Sequence, residues 1–210
     1  MVGGTFAFNH YTGLERATGD IDIKCTFEDY PKILEELSND GYKTQLAEIG
    51  RNWLAKVIDQ EGYYTDIIFG ERNGLYHIDK SWLDRAQKGN VLGHPVLLEP
   101  VEEMIRSKCY VQNRDRNDSI DVVHLILRQG RNVDWKILLE KMEPHWELLL
   151  SNILLFLFVY PSEREVIPNW VIERLVSLLN DRISHPPTKD KITRGLLLST
   201  DYEVGISQWG

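Results

Sequence analysis

The chain is poor in cysteine and has no histidine pattern suited to a metal site. Its two cysteines, Cys25 and Cys109, are far apart in apolar or mixed stretches, and its six histidines are scattered. Because the sequence shows no secretory signal, two isolated thiols favour a reduced protein of the cytoplasm over a disulfide-stabilised one. The histidine spacing excludes the usual zinc motifs.

Positive charge is also in short supply. The 210 residues include 24 Lys and Arg against 32 Asp and Glu, which gives a net charge of −8. This balance argues against a protein that coats nucleic acid by bulk electrostatics, although it leaves room for a local basic groove. The hydrophobic fraction of 42% and the charged fraction of 27% are typical of a soluble globular chain. The length allows one large domain or two small ones.

Apolar runs are too short to cross a membrane. The longest, LLLSNILLFLFVY at residues 148–160, has about thirteen residues, whereas a bilayer requires roughly 20. It contains Ser151 and Asn152 and is followed by Pro161. We therefore predict a helix that is buried on most sides at the centre of the C-terminal half, and no membrane contact.

Two common phosphate-binding motifs are missing, the Gly-x-x-x-x-Gly-Lys of a P-loop and the Gly-x-Gly-x-x-Gly of dinucleotide sites. The chain has instead a pair of acids in Asp20-Ile21-Asp22. Alternate side chains of a β-strand share a face, so these carboxylates would project together, roughly 6–7 Å apart. They repel each other unless a cation lies between them, and Mg²⁺ binds carboxylates together with substrate phosphates. The pair indicates phosphoryl chemistry, and a solvated strand end with two acids is the alternative.

The residues before the acids favour phosphoryl chemistry. Gly3-Gly4, followed by Thr5, opens a helix-length segment, and a glycine turn at a helix start presents backbone N–H groups to an anion. For the glycines alone, an ordinary tight turn is the alternative. Arg16 and Thr18 then approach the acids with a guanidinium and a hydroxyl group.

This arrangement resembles the nucleotidyltransferase superfamily with the DNA polymerase β-like fold. Its signature is a Gly-Gly or Gly-Ser turn and helix, then an Asp-x-Asp strand, then a third carboxylate on a neighbouring strand. Gly3-Gly4 and Asp20-Ile21-Asp22 match the first two parts, and the Arg-x-Thr-x-Asp-x-Asp form is most similar to the bacterial toxin and abortive-infection branch. The resemblance extends to about Leu179. It implies an α+β fold, with a small mixed β-sheet nucleotidyltransferase core (polymerase β-like) followed by a C-terminal helical bundle.

Asp66 matches the third carboxylate of the superfamily in type and order. It lies in Tyr64-Thr65-Asp66-Ile67-Ile68, the second arm of a predicted hairpin. An acid that precedes a β-branched pair in a strand is costly unless it faces water or a cation. The resemblance implies that Asp66 binds a metal ion and activates the attacking hydroxyl as a general base. An outward-facing residue of an amphipathic strand is the alternative.

Strand patterns give way to helical patterns near Glu99. Before it, we predict helical segments at 28–40 and 81–86, a strand at 42–49, and hairpins at 53–69 and 91–98. After it, we predict helices at 101–110, 119–128, 135–141, 145–159 and 169–180. We thus expect a nucleotidyltransferase-like core at 1–98, a helical domain at 99–183 and a C-terminal tail at 184–210.

A second charged cluster follows this predicted boundary. Lys108 falls near the end of one predicted helix, and Arg114 and Arg116 precede the next. Lys108 would either reach a bound triphosphate as a point charge, with one of these arginines nearby, or lie on a solvated helix face. Asp118 and Asp121, at the start of the next helix, are predicted to cap it, since the helix dipole favours acids there.

Few residues precede the glycine turn. Only Met1 and Val2 are available for the strand that leads into it. Proteins of the resembling superfamily have a helix and most of a strand before this point. We therefore expect either a start codon assigned too late or a trimmed chain, and the formation of this edge of the sheet, and so of the site, stays open.

The resemblance implies a metal-dependent nucleotidyltransferase. A nucleoside triphosphate would bind over Gly3-Gly4 and on Mg²⁺ (or Mn²⁺) held in a two-metal site by Asp20, Asp22 and Asp66. An acceptor hydroxyl would attack the α-phosphate and release pyrophosphate. The acceptor is open between the 3′ end of a tRNA, a protein side chain and a small molecule such as an aminoglycoside, and the acidic net charge disfavours a large RNA.

Two other interpretations remain. The first is a non-catalytic member of the fold that binds nucleotide or a partner protein, for example as one half of a toxin–antitoxin pair. The second is an α/β and helical interaction protein without a nucleotide site.

Overall fold

The computed structural model describes residues 1–47, 53–113, 115–188 and 208. The chain divides into two compact units, Met1–Met104 and Ile105–Gly210. The predicted fold class is confirmed, because a small mixed sheet is followed by a series of helices. The predicted division at residues 98 and 183 stays a prediction.

A four-stranded mixed sheet with its helices makes up most of the first unit. Its elements are α1 (Gly4–Thr12), β1 (Ile21–Lys24), α2 (Tyr30–Asn39), β2 (Lys43–Leu46), β3 (Leu54–Ile58), β4 (Tyr64–Ile68), α3 (Lys80–Arg85), β5 (Gln87–Val91) and β6 (His94–Leu98). The strand order is β1-β4-β3-β2, with β1 parallel to β4 and the other neighbours antiparallel. β5 and β6 form a separate hairpin.

The two faces of the sheet differ in character. One face buries Ala55 and Val57 of β3 and Ile67 of β4, against which α2 packs. Since successive side chains of a strand point to opposite faces, the intervening Lys56 and Asp66 belong to the other face. The turn between β3 and β4 fixes this register, since the Asp59 carboxylate accepts hydrogen bonds from the backbone N–H groups of residues 61 and 63.

Met1 and Val2, the two residues before the glycine turn, form backbone contacts with β1 and β6. Val2 bridges Ile23 of β1 and Leu98 of β6. Its N–H donates to the Leu97 carbonyl at 2.7 Å, and its carbonyl accepts from the N–H of Glu99 at 2.9 Å. The next residue continues the contact, because the N–H of Gly3 donates to the carbonyl of Asp22 at 2.8 Å. This pairing places the glycine turn directly beside the acidic strand.

The second unit is helical where the structure describes it. α4 (Val101–Cys109) spans the division, and α5 (Ser119–Gln129), α6 (Trp135–Met142), α7 (Trp146–Val159) and α8 (Asn169–Ser184) follow. The last of these helices runs four residues beyond its predicted end at residue 180. Of the predicted tail, only residues 184–188 and 208 lie among the described residues.

The long apolar run forms α7. Its Leu149, Ile153 and Phe156 are fully buried, whereas Leu154 is 57% and Phe158 is 83% exposed. The helix is therefore buried on one face, and the prediction that it is buried on most sides is wrong. A run that is apolar all round does not reveal which of its faces the neighbouring helices cover.

One helical stretch of the described chain, Trp135–Val159, is long and apolar enough to cross a membrane by length and composition alone. A 3₁₀ turn at Glu143–His145 separates α6 from α7 within it. Both helices contribute buried residues to the second unit, and one stretch of this kind is weak evidence for a membrane span.

Candidate active site

Three carboxylates from two neighbouring strand segments meet on the polar face of the sheet. β1 and β4 are adjacent and parallel, and Asp22 is paired in register with Asp66. Asp20 precedes β1 by one residue and lies on the same side as Asp22. One carboxylate oxygen from each of the three residues lies within 4.8 Å of those of the other two. All three side chains are partly buried, so the sheet holds their charges in a confined space.

Electrostatic strain at this cluster is concentrated on Asp22. Burial raises the pKa of Asp22 to about 6, with the Lys24 ammonium opposing the shift and the Asp20 and Asp66 carboxylates adding to it. Near neutral pH, three negative charges thus share one site, and a divalent cation bound between them would relieve the repulsion. Oxygen ligands from carboxylates are the donors that Mg²⁺ and Mn²⁺ prefer. The donor set therefore fits such an ion.

The first residue of α1 lies against the cluster. A Cβ atom on Gly4 would overlap the Asp22 carboxylate, and Gly4 has a φ of +56°, which side chains rarely adopt. Glycine is thus required here both for its backbone conformation and for its lack of a side chain. The N-terminal end of α1, with Thr5 as its second residue, is brought next to the acids, where its backbone dipole favours negative charge.

A buried ion pair between Lys24 and Glu99 lies next to Gly3 of the glycine turn. Lys24, two residues after Asp22 on β1, forms a 2.5 Å salt bridge with Glu99, and both side chains are almost wholly buried. Burial lowers the pKa of Lys24, but the Glu99 and Glu71 carboxylates outweigh it, so the pKa is raised overall. A Cβ atom on Gly3 would approach Lys24 Cε to 2.8 Å. The pair was missed in the sequence, although Lys24 continues the alternation that starts at Asp20.

A lysine binds the third carboxylate. Lys56 of β3 pairs across the strands with Asp66, and its Nζ donates to Asp66 Oδ1 at 2.9 Å. The same ammonium lies 4.2 Å from the centre of the Tyr64 ring. The sequence did not single out Lys56, and the available signal was its place between the apolar Ala55 and Val57 in an alternating strand.

Of the two residues predicted to approach the acids from upstream, Thr18 contacts the cluster and Arg16 contacts α1 instead. Thr18 is at the cluster, where its hydroxyl donates to Asp20 Oδ1 at 2.5 Å. The Arg16 guanidinium instead stacks 4.3 Å from the centre of the Phe8 ring of α1, and its backbone exchanges hydrogen bonds with Asn9. Thr18 therefore orients one of the acids, while Arg16 joins the loop after α1 to that helix.

The second charged cluster is an internal network of the second unit. Lys108 Nζ donates to Asp118 at 2.9 Å and to Asp121 at 2.7 Å, and Arg116 donates two hydrogen bonds to Asp118. Burial raises the pKa of Asp118, but Arg116 and Lys108 outweigh it, so the pKa lies below its usual value. Arg114 lies outside the described residues.

The predicted cap of α5 is wrong in one respect. Asp118 occupies the N-cap position, but its side chain makes no capping hydrogen bond. Its carboxylate binds the two cations instead, because charged donors give stronger hydrogen bonds than backbone N–H groups. Asp121 lies in the first turn, as predicted, and also binds Lys108.

Comparisons with known proteins give little for this chain. No protein-family model matches it, and no curated protein matches it. Among solved structures it is similar to a lincosamide antibiotic adenylyltransferase, LnuA, in its lincomycin-bound form, with a TM-score of 0.40 and 19% sequence identity. The match covers 59% of this chain and 83% of that chain. A likeness at this level gives no information about function.

The raised pKa of Asp22 predicts a stability difference between pH 4 and pH 6. An acid whose pKa rises from 3.8 to about 6 on folding binds its proton more tightly when folded. The free energy of unfolding that it contributes is therefore highest below pH 4, falls as the pH rises to about 6, and is constant above. We expect the metal-free wild type to lose on the order of 1 kcal/mol relative to Asp22→Asn over this window, after allowing for solvent screening.

Urea unfolding of both proteins in EDTA at pH 4, 5, 6 and 7.5 measures this difference. A stability difference that does not change with pH, or that grows in favour of the wild type as the pH rises, contradicts the conclusion that burial and the neighbouring carboxylates raise the pKa of Asp22.

Proposed function

We propose that this chain is a metal-dependent nucleotidyltransferase, which moves a nucleoside monophosphate from a nucleoside triphosphate to an acceptor hydroxyl and releases pyrophosphate. The observation that supports it best is the convergence of Asp20, Asp22 and Asp66 within 4.8 Å, beside the start of α1. Acids that repel each other are costly to hold together, so a cluster of this kind is typical of a cation site that serves phosphoryl transfer.

Each residue of the site has a part in this proposal. Mg²⁺ or Mn²⁺, bound by the three carboxylates, would supply positive charge to the phosphates of the nucleotide. The backbone N–H groups of Gly4 and Thr5 at the start of α1 would bind a phosphate oxygen. The N–H of Gly3 already donates to the Asp22 carbonyl, so Gly3 contributes by holding the turn beside β1. Asp66 accepts the proton of the attacking hydroxyl as a general base.

Other parts of the proposal rest on the sequence. Thr18 orients Asp20 in the structure, and its contact with nucleotide is proposed, as is that of Arg16. Nucleotide contacts of Lys108 and Arg114, membership of the toxin and abortive-infection branch, and a cytoplasmic location stay predictions. The acceptor is a tRNA, a protein or a small molecule.

A binding module without catalysis is the second candidate. It is favoured by the ion pair of Lys56 with Asp66, which already occupies the carboxylate that the reaction needs as a base. Such a protein would bind nucleotide or a partner protein with no turnover.

One pair of measurements tests both candidates. Wild type and Asp22→Asn are heated with each of ATP, GTP, CTP and UTP plus Mg²⁺, and are then incubated with α-labelled nucleotides and total RNA, lysate protein or aminoglycosides. The enzyme predicts a melting-temperature rise of several degrees and label transfer, both lost in Asp22→Asn. A rise without transfer to any acceptor favours the binding module. No rise with any nucleotide contradicts the enzyme and a nucleotide-binding module alike, and leaves only a module that binds a partner protein.

A further inference from the structure

Polar side chains form a continuous row across the sheet. The register pairs Gln45 of β2 with Lys56 of β3, Lys56 with Asp66 of β4, and Asp66 with Asp22 of β1. Neighbouring strands are about 4.8 Å apart, and paired residues share a face. The register therefore places Lys56 beside the acids on the same face of the sheet, and its side chain, which is 43% exposed, reaches Asp66 from there.

Two contacts hold this ammonium at Asp66. It donates to Asp66 Oδ1 at 2.9 Å and lies 4.2 Å from the centre of the Tyr64 ring. Tyr64 and Asp66 are two residues apart on β4, so the ring and the carboxylate project on the same side. An ammonium between a carboxylate and an aromatic face is attracted by both, since the ring presents its negative face to the cation.

We propose that the Lys56 ammonium takes the place of a second divalent ion, so that Asp20, Asp22 and Asp66 hold one metal ion. This inference rests on the proposed function and specifies the metal content of that same site. It departs from the two-metal arrangement that the resemblance implies, in which two ions lie about 3.5–4 Å apart and share the carboxylates.

Charge and space both support one ion. The three carboxylates and the ammonium carry −3 and +1, and the remaining −2 is balanced by one divalent ion. A second ion on Asp66 would have to share this carboxylate with an ammonium already 2.9 Å from Oδ1. At such separations a divalent and a monovalent cation repel each other strongly, even with solvent screening.

The test counts bound Mn²⁺ by electron paramagnetic resonance on the full chain, alone and with a non-hydrolysable triphosphate analogue. We expect one Mn²⁺ per chain for wild type and for Lys56→Arg, which keeps the charge. Lys56→Met and Lys56→Gln are expected to bind two Mn²⁺ per chain, because neither variant has the ammonium group beside Asp66. Lys43→Met is the matched control, since Lys43 lies on the same face of the sheet and pairs with Ile58 rather than with an acid. It should bind one.

The outcomes separate this inference from the proposed function. Two Mn²⁺ in the wild type overturn the inference and leave the proposed function intact. One Mn²⁺ in the wild type and in both neutral variants also overturns it, because the ammonium is then not what excludes the second ion. No Mn²⁺ bound by folded wild type overturns the proposed function and the inference together. Circular dichroism melting of each variant confirms that it is folded before ions are counted.

Discussion

Asp22→Asn is expected to abolish nucleotidyl transfer while the protein stays folded. The substitution keeps the shape of the side chain and removes a charge that burial disfavours most and that the Asp20 and Asp66 carboxylates disfavour further. The metal-free protein should therefore be as stable as wild type or more stable. The loss of a metal-binding carboxylate removes several kcal/mol of transition-state stabilisation, which corresponds to a rate lower by about 10³-fold or more.

Label transfer from the nucleotide that raises the melting temperature most measures the rate, and urea unfolding measures stability. Asp59→Asn is the matched control. Asp59 is an acid of the same unit whose carboxylate accepts two backbone hydrogen bonds in the β3–β4 turn, and an amide oxygen can accept them as well. It should transfer label at the wild-type rate. If Asp22→Asn instead unfolds the protein, the carboxylate is structural. If the folded variant transfers label at the wild-type rate, Asp22 holds no catalytic metal ion, and the proposed role of the acidic cluster is wrong.

Local patterns in the sequence were enough to predict the elements that build the site. Alternation of apolar and polar residues predicted the β3–β4 hairpin. Asp20-Ile21-Asp22 shows the same period of two, and it leads into β1. Such a period states which residues share a face of one strand. It does not state which strands are neighbours, so the placement of Asp66 beside Asp22 came from a resemblance.

Local sequence patterns could not predict which basic residues form ion pairs with the acids. Lys56 reaches Asp66 only through cross-strand register, and Lys24 meets Glu99 only because that residue follows β6 and pairs with Val2. Asp118 illustrates the same limit in the second unit. Its position at a helix start predicted that its side chain caps the helix. The carboxylate instead forms ion pairs with Arg116 and with Lys108, which only the tertiary structure brings near.

The buried pair under the glycine turn predicts the largest loss of stability. Lys24→Met removes the ammonium from a salt bridge in which the Glu99 side chain is 2% exposed, so a carboxylate is left buried without its cation. Breaking a buried pair in this way costs about 3–5 kcal/mol. Replacing both partners, as in Lys24→Met with Glu99→Met, removes the unpaired charge, and we expect this double variant to recover most of the loss.

Urea unfolding of wild type, the two single variants and the double variant gives the coupling between the partners. The matched surface control is Lys80→Met. The ion pair of Lys80 with Glu28 is 3.6 Å long, with both side chains about three-quarters exposed, so its removal should change the free energy of unfolding by less than about 1 kcal/mol. If Lys24→Met proves no more destabilising than Lys80→Met, the buried pair does not support the turn, and the position of Gly3 and Gly4 has another cause.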